Sequence, residues 1–181
     1  MIMKTNVTIL KIAVTLVLLL NVASLFAQDR ITLNIAQDAK FLFIGDDRGN
    51  DAGTLDLLFR SEWQGKQTSV GYMLVAPEFE YSNLQGGDYR RYSLNLGYTL
   101  TFAAPFEFTA TAGYGVIDRK HVGADFSAGA QLEAAFAISP NFKLYTAYQF
   151  TERSDLYEYG TPTRGSGFIG IKIGLFKTRG R

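Results

Sequence analysis

The clearest pattern in the chain is a strict alternation of apolar and polar residues over positions 124–138, ADFSAGAQLEAAFAI. Every even position from Ala124 to Ile138 is apolar, whereas the odd positions from 125 to 133 are polar or glycine. Side chains of a β-strand point alternately to its two faces, so the segment predicts a long strand with one apolar and one polar face. The kind of protein depends on which of these faces points inward.

The same alternation recurs along the chain after residue 28. Residues 91–102 place Tyr, Leu and Phe at even positions and mostly Arg, Ser, Asn and Thr at odd ones, and residues 106–116 repeat this pattern. The third run is the least regular, and Pro77 predicts a bulge or a change of phase within it. In all, the sequence predicts strands at about 30–43, 54–64, 68–81, 90–103, 106–117, 122–138, 142–152 and 166–176.

Short and long connections alternate between these runs. Tight turns are expected at 65–67, 104–105 and 139–141, whereas the connections 44–53, 82–89, 118–121 and 153–165 are longer and more polar. This alternation is typical of an up-and-down barrel with short turns at one end and surface loops at the other.

The first 27 residues have the layout of a secretory signal peptide. Lys4 and Lys11 supply positive charge, Ile12–Leu20 forms an apolar core, and small or apolar residues lead to a predicted cleavage between Ala27 and Gln28. The core is shorter than the roughly 20 residues that a membrane-spanning helix needs. We therefore predict a signal peptide at 1–27 and one domain at 28–181. Losing the two lysines takes the formal net charge from +1 to −1, which does not indicate nucleic-acid binding.

Two barrel architectures fit the alternation. A soluble, exported lipocalin-like barrel turns its apolar face inward around an apolar ligand, whereas an outer-membrane barrel turns that face toward lipid. The polar faces here are rich in Gly, Ser, Thr and Asn, which fill a narrow lumen well and are unusual on the wet face of a soluble barrel. In the membrane interpretation, the interior holds a charge network of Arg60, Glu62, Arg91, Glu107, Asp125, Glu133 and Lys172.

Aromatic spacing also favours lipid on the apolar face. Phe126 and Phe136 lie ten residues apart on one face, as do Tyr92 and Phe102. Ten residues at ~3.3 Å each, tilted by about 40°, rise about 25 Å, which is the height of a barrel's apolar band. We therefore predict a lipid-facing aromatic girdle that comprises these four residues and Trp63.

Export without a membrane-spanning helix, combined with apolar strand faces, is typical of proteins delivered to the outer membrane of a Gram-negative bacterium. We predict an all-β fold, an eight-stranded antiparallel up-and-down transmembrane β-barrel preceded by the signal peptide. Both termini are expected in the periplasm and four loops outside the cell. The soluble barrel remains the structural alternative.

In segments such as YSLNLGYTLTF (residues 92–102), the mature chain resembles the small outer-membrane barrels that include the OmpA transmembrane domain and the OmpX-like proteins. The resemblance covers residues 28–181 and rests on architecture. It implies insertion by the outer-membrane assembly machinery, contact with lipopolysaccharide and phospholipid, and a monomer. Barrels of this group usually end in an aromatic residue, whereas here Phe176 is followed by Lys177–Arg181.

The expected function follows from the width of such a barrel. Eight strands enclose a lumen just wide enough for side chains, so a general diffusion pore is not expected. Its charges should pair across strands, for example Arg60 and Lys172 with Glu62 or Glu133, and a small-ion or proton path through them is the alternative. We expect a structural or cell-surface interaction role without catalysis, with Tyr157 and Tyr159 in the last long loop able to recognise a partner or anchor the barrel.

An outer-membrane lipid-modifying enzyme is the alternative function. A lipid A deacylase of the outer membrane carries a serine two residues from its histidine, but here Gly123 occupies that position after His121, the sole histidine. A palmitoyl-transfer enzyme brings together His, Asp and Ser, but here Asp125 and Ser127 fall on the inward strand face. In an enzyme, replacing His121 would change lipid A acyl composition while leaving assembly intact. No cofactor or metal is expected, because cysteine is absent and His121 has no histidine or cysteine companion. The acidic loop GDDRGNDAG lacks the residue order of a known calcium loop.

Overall fold

The structure, a computed structural model, describes residues 30–46, 48–119, 123–153, 160 and 162–177. The predicted signal peptide, with Ala27 and Gln28 at its cleavage site, lies outside these residues, as do His121 and the two tyrosines of the last loop. Along the described segments no helix is long and apolar enough to cross a membrane.

In the described part of the chain, eight strands and one short helix follow one another. They are β1 (Arg30–Asp38), α1 (Ala39–Phe43), β2 (Asp56–Gln64), β3 (Gly71–Ser82), β4 (Tyr89–Ala103), β5 (Phe106–Arg119), β6 (Gly123–Ser139), β7 (Phe142–Glu152) and β8 (Thr163–Lys177).

The strands form a closed antiparallel barrel. Each strand pairs with the next along the chain, and β8 pairs with β1, so that no edge is left open. The strands are 9 to 17 residues long, enough for the roughly 9–11 residues that a tilted strand needs to cross a bilayer. The predicted fold class is confirmed. The two longest connections, from β1 to β2 and from β7 to β8, lie at the same end of the barrel, which we call the loop end and take as extracellular. The opposite end, where the predicted short turns lie, we call the short-turn end, although its β2–β3 connection spans 65–70 and is longer than the predicted turn at 65–67.

Two local predictions were wrong. Residues 39–43 were expected to continue the first strand, but they form α1, because Asp38 Oδ1 accepts hydrogen bonds from the backbone N–H groups of Lys40 (2.8 Å) and Phe41 (3.2 Å) and caps the helix. Pro77 was expected to mark a bulge, yet the register between β3 and β4 passes through Pro77 opposite Leu94 without a shift. The side chain of Pro77 lies on the outer wall. Proline has no backbone N–H to donate, and only the pairing with β2 is interrupted at this residue.

The barrel is polar inside and apolar outside. Leu132 is 60% exposed and Phe126 is 77% exposed on the outer wall, whereas Arg60, Glu62 and Lys172 are at most 2% exposed in the lumen. A soluble protein would show the opposite distribution, because apolar side chains are driven out of water. The outer wall therefore requires lipid as its solvent, which excludes the lipocalin-like alternative.

A close approach between β4 and β5 provides a test of the wall packing. A Cβ atom added at Gly113 would lie only 2.1 Å from the carbonyl oxygen of Leu94, so Gly113→Ala forces the backbone to move. We expect a loss of about 1–3 kcal/mol in the free energy of unfolding, measured by urea titration in lipid vesicles. Gly167→Ala is the control, since nothing lies within 4 Å of its added Cβ. Equal stabilities for the two variants would contradict this packing.

Candidate functional site

The middle of the lumen is occupied by a network of buried ion pairs around Arg60. Its guanidinium lies 2.9 Å from Glu78 Oε2, 3.1 Å from Glu133 Oε2 and 3.5 Å from Glu62 Oε1. Because these residues project from β2, β3 and β6, the guanidinium connects opposite sides of the barrel.

Two further cations complete the network. Lys172 Nζ on β8 contacts Glu133 and lies 2.9 Å from Glu62 Oε1. Arg91 Nη1 on β4 lies 3.2 Å from Glu78 Oε1. The network therefore contains three cations and three carboxylates, namely Arg60, Arg91, Lys172, Glu62, Glu78 and Glu133, and we call this set the lumen plug. Each of their side chains is at most 2% exposed.

Neutral side chains fill the space around the lumen plug. Asn34 Nδ2 donates to Glu62 Oε1 (2.6 Å), and Gln149 Nε2 donates to Glu78 Oε1 (3.2 Å). An apolar cluster that includes Leu58 and Phe168, both 0% exposed, lies in the same interior. Buried charges are tolerated only when they are paired and hydrogen-bonded, and these partners supply that condition. The lumen is thus packed with side chains at its centre.

Nearer the short-turn end, a separate ion pair crosses the lumen. Lys143 Nζ lies 2.5 Å from Glu107 Oε1 and 2.6 Å from Glu107 Oε2. Glu107 was predicted to belong to one interior network, but its carboxylate contacts Lys143 and accepts a hydrogen bond from the Tyr72 hydroxyl at 3.5 Å.

Asp125 is the predicted network member that the structure places elsewhere. It lies near the loop end of β6 and is exposed. There β6 extends beyond its pairing with β7, which begins at Gly129, so the side chain meets solvent instead of the opposite wall. Its Oδ1 accepts a hydrogen bond from the Phe126 N–H at 2.8 Å.

Four of the five predicted girdle residues lie on the outer wall. Tyr92 and Phe126 are near the loop end, whereas Trp63 and Phe136 are near the short-turn end, and all four are exposed. Tyr92 packs against Phe79 with ring centroids 5.0 Å apart, and Phe136 packs against Phe106 at 5.3 Å. Phe102 lies on β4, and the structure does not describe its side chain. Tyr92 and Phe126 also line an apolar groove of about 780 Å³ that opens onto the lipid-facing wall.

At the extracellular mouth the structure holds a polar cavity of about 420 Å³. Among the described residues, five cationic side chains line it: Lys40, Arg48, Arg119, Arg153 and Arg164. We call this cavity the basic cup. Its wall comes from the connections after β1 and β3 and from the ends of β5, β7 and β8. Because β1 and β5 lie on opposite sides of the eight-stranded barrel, the cup spans the barrel mouth.

Two arginines of the basic cup are held against buried aromatic rings. The guanidinium of Arg153 lies 4.4 Å from the ring centroid of Tyr89, and that of Arg164 lies 5.3 Å from the centroid of Phe41. Arg164 Nη2 also lies 2.7 Å from Asp56 Oδ2 and 3.4 Å from Asp38 Oδ2, and it forms the floor of the cup. Stacking and ion pairing fix these guanidinium groups in place before any ligand arrives.

The two carboxylates on the cup wall are already engaged by the protein. Asp38 caps α1 and contacts Arg164. Asp46 Oδ1 accepts from the N–H groups of Arg48 (2.9 Å) and Asn50 (3.0 Å), and Asp46 Oδ2 accepts from Asn50 Nδ2 (2.9 Å). Burial raises the pKa of Asp46, but these hydrogen bonds and the charge of Lys40 outweigh it and lower the pKa below its usual value.

The arginines of the cup were absent from the sequence-based site. Arg153 and Arg164 fell in the predicted loop 153–165, and Arg119 fell in the predicted loop 118–121. Both segments were assigned as loops because they lack the apolar alternation that marks a strand. A signal was available nonetheless: three of the four predicted long connections, 44–53, 118–121 and 153–165, contain basic residues. Among the described residues, no group of three or more His, Cys, Asp or Glu could hold a metal ion.

The closed barrel, its apolar outer wall and its charged interior define the class: the protein is an outer-membrane β-barrel. The family model described as "Putative MetA-pathway of phenol degradation" matches residues 5–174, and the chain belongs to this family. Membership alone does not assign a step of that pathway to this chain. No curated protein matches it.

Solved structures show the same fold. The outer-membrane protein Ail of Yersinia pestis in a phospholipid bilayer nanodisc is 14% identical, with a TM-score of 0.54 over 81% of this chain and 99% of that one. A de novo designed transmembrane β-barrel is 15% identical, with a TM-score of 0.53 over 81% and 96%. The crystal structure of Ail is 14% identical, with a TM-score of 0.50 over 81% and 97%. These likenesses agree with the predicted architecture.

Proposed function

We propose that this outer-membrane barrel has a structural or cell-surface interaction role, exerted at its extracellular end, and that it is not a general diffusion pore. The observation that carries the proposal is the lumen plug. Its six charged side chains come from five of the described strands, and their guanidinium, ammonium and carboxylate groups close the lumen at hydrogen-bonding distances. Solutes then have no open route along the barrel axis, whereas the basic cup stays open to the outside.

The same reasoning gives the partners that we infer. The apolar outer wall is the surface that outer-membrane lipopolysaccharide and phospholipid contact, and the assembly machinery of that membrane inserts the barrel. The wall is closed by the pairing of β1 with β8, so a single chain suffices and we infer a monomer. A folded barrel should migrate differently on a gel before and after boiling.

We also propose that the protein is not an enzyme. In support, the lumen carboxylates and cations engage one another instead of facing a substrate cavity. Asp125 is exposed, and Ser127 Oγ donates to the Glu152 carbonyl oxygen at 2.6 Å. The His121 replacement described above tests this proposal, and a change in lipid A acyl composition would contradict it.

Solute permeation tests the closed lumen. Vesicles that contain the wild-type protein should swell in a monosaccharide solution no faster than protein-free vesicles, because the plug fills the lumen. The double variant Arg60→Ser/Glu133→Ser removes one charge of each sign and shortens two lumen side chains, so it should swell measurably faster and shows the sensitivity of the assay. Wild-type vesicles that swell faster than protein-free vesicles would refute the proposal.

A further inference from the structure

We propose that the basic cup is a binding site for a soluble anion bearing phosphate or sulfate groups, which enters from outside the cell. The inference rests on the proposed surface role and names the chemistry of the partner. The cup is a concave site of about 420 Å³, within the roughly 300–1,000 Å³ of ordinary ligand sites.

Charge selects the sign of the ligand. Among the described residues the cup wall carries five cations and two carboxylates, and Asp56, which pairs with Arg164 just beneath it, adds a third carboxylate. Cations therefore exceed carboxylates by two, which makes the field in the cavity positive, and its low-dielectric walls strengthen that field for an entering anion. Asp38 and Asp46 also accept hydrogen bonds from backbone N–H groups, so they are poorly available to a bound cation.

Guanidinium groups bind oxyanions, and several of them converging on one cavity favour phosphate and sulfate, because these ions carry more acceptor oxygens and can carry more charge than a carboxylate. An arginine presents parallel N–H donors that match two oxygens of a tetrahedral oxyanion. Arg119, Arg153 and Arg164 reach the cup from three different strand ends, and the Tyr89 and Phe41 rings hold two of them in place. A ligand therefore meets donors whose positions are already fixed, which lowers the entropy cost of binding.

The position of the cup selects a soluble source. The cup spans the barrel mouth between β1 and β5, and its floor is Arg164, which pairs with the lumen carboxylate Asp56. Lipid headgroups lie outside the barrel wall and would have to pass over the loops to reach the axis. A water-soluble anion enters directly along the axis from the extracellular side.

Titration of the whole mature protein tests this site. We would refold it in nanodiscs of zwitterionic phosphatidylcholine and titrate inorganic pyrophosphate by calorimetry at low salt. We expect saturable binding that weakens as salt is raised, because the contacts are charged. Lys40→Gln/Arg48→Gln removes two exposed cations of the cup and should weaken the affinity about tenfold. Arg90→Gln is the matched control, since Arg90 is an exposed cation at the same end of the barrel but not in the cup wall.

Each result decides the proposal. The proposal is supported if pyrophosphate binds more weakly to the double variant and binds to Arg90→Gln as it does to the wild type. Absence of pyrophosphate binding by wild type, or equal losses in both variants, overturns it. Loss of pyrophosphate binding at the same ionic strength when anionic phosphatidylglycerol is added to the nanodisc also overturns the soluble source, because a lipid headgroup then occupies the cup. The gel shift on boiling confirms folding of each variant. Vesicle swelling separately tests the closed lumen, so failure of the anion site is distinct from failure of the proposed function.

Discussion

Replacing Arg60 with alanine should lower the free energy of unfolding by about 3–5 kcal/mol. Arg60 is the member of the lumen plug that contacts all three of its carboxylates. Without it, Glu78 keeps Arg91, and Glu62 and Glu133 share Lys172, which leaves one uncompensated negative charge in a buried lumen. Urea titration in lipid vesicles, followed by the mobility difference on gels, measures the effect.

Matched variants separate the lost charge from the lost contacts. Arg90→Ala removes an exposed arginine whose nearest carboxylate, on Asp88, is 3.9 Å away, and it should cost only about 0–1 kcal/mol. The double variant Arg60→Ala/Glu133→Ala removes one charge of each sign and should be less destabilised than the sum of the two single variants. If the single and double effects simply add, the carboxylates around Arg60 do not act as one network.

The outward face of each strand was predictable because alternation depends only on the local chain. Leu132 and Phe136 belong to a run in which every second residue is apolar, so their common face could be assigned without knowledge of the rest of the barrel. The choice of that face as the lipid-facing one came from the glycine and polar content of the other. Glycine on the inward face also serves packing. A Cβ atom added at Gly129 would lie 2.6 Å from Arg91 Nη2, so the lack of a side chain at Gly129 makes room for the lumen plug.

Partners across the lumen depend on the closed register, which local alternation does not encode. Lys172 on the last strand meets Glu62 on the second only because β8 closes on β1, and the barrel stagger sets which residues share a level. Glu107 was assigned to the same network, but it lies at the level of Lys143. Local alternation could place these charges in the lumen, whereas assigning their partners needed the three-dimensional register.

The structure at the mouth was missed where local chemistry overrides alternation. The run FLFI after Asp38 is apolar enough to continue a strand, but capping by the Asp38 side chain favours α1. In β8, Gly165 and Gly167 occupy outward positions, so Arg164 and Ser166 face the lumen with no apolar neighbours to mark the strand. The basic cup combines a helix, loops and strand ends, so the two-residue alternation of a strand does not predict it.

Placing an arginine in the middle of the outer wall should produce a loss that depends on depth. Leu132 lies near the centre of β6 on the lipid-facing side, and Leu132→Arg should cost about 2–4 kcal/mol, because a guanidinium at the bilayer midplane loses its hydration. Ile138→Arg makes the same kind of change on the same face of β6, six residues nearer the short-turn end. There the arginine reaches the interface, and the cost should be about 0–1 kcal/mol.

The difference between these two variants tests the orientation of the whole wall. Both residues are aliphatic and exposed, Leu132 at 60% and Ile138 at 56%, so loss of packing contributes similarly and the depth in lipid distinguishes them. Urea titration of the two variants in the same vesicles gives the comparison. A wall surrounded by water would accept arginine equally well at both positions, because a solvated guanidinium carries no depth-dependent penalty. Equal stabilities would therefore show that the apolar face of β6 does not contact acyl chains.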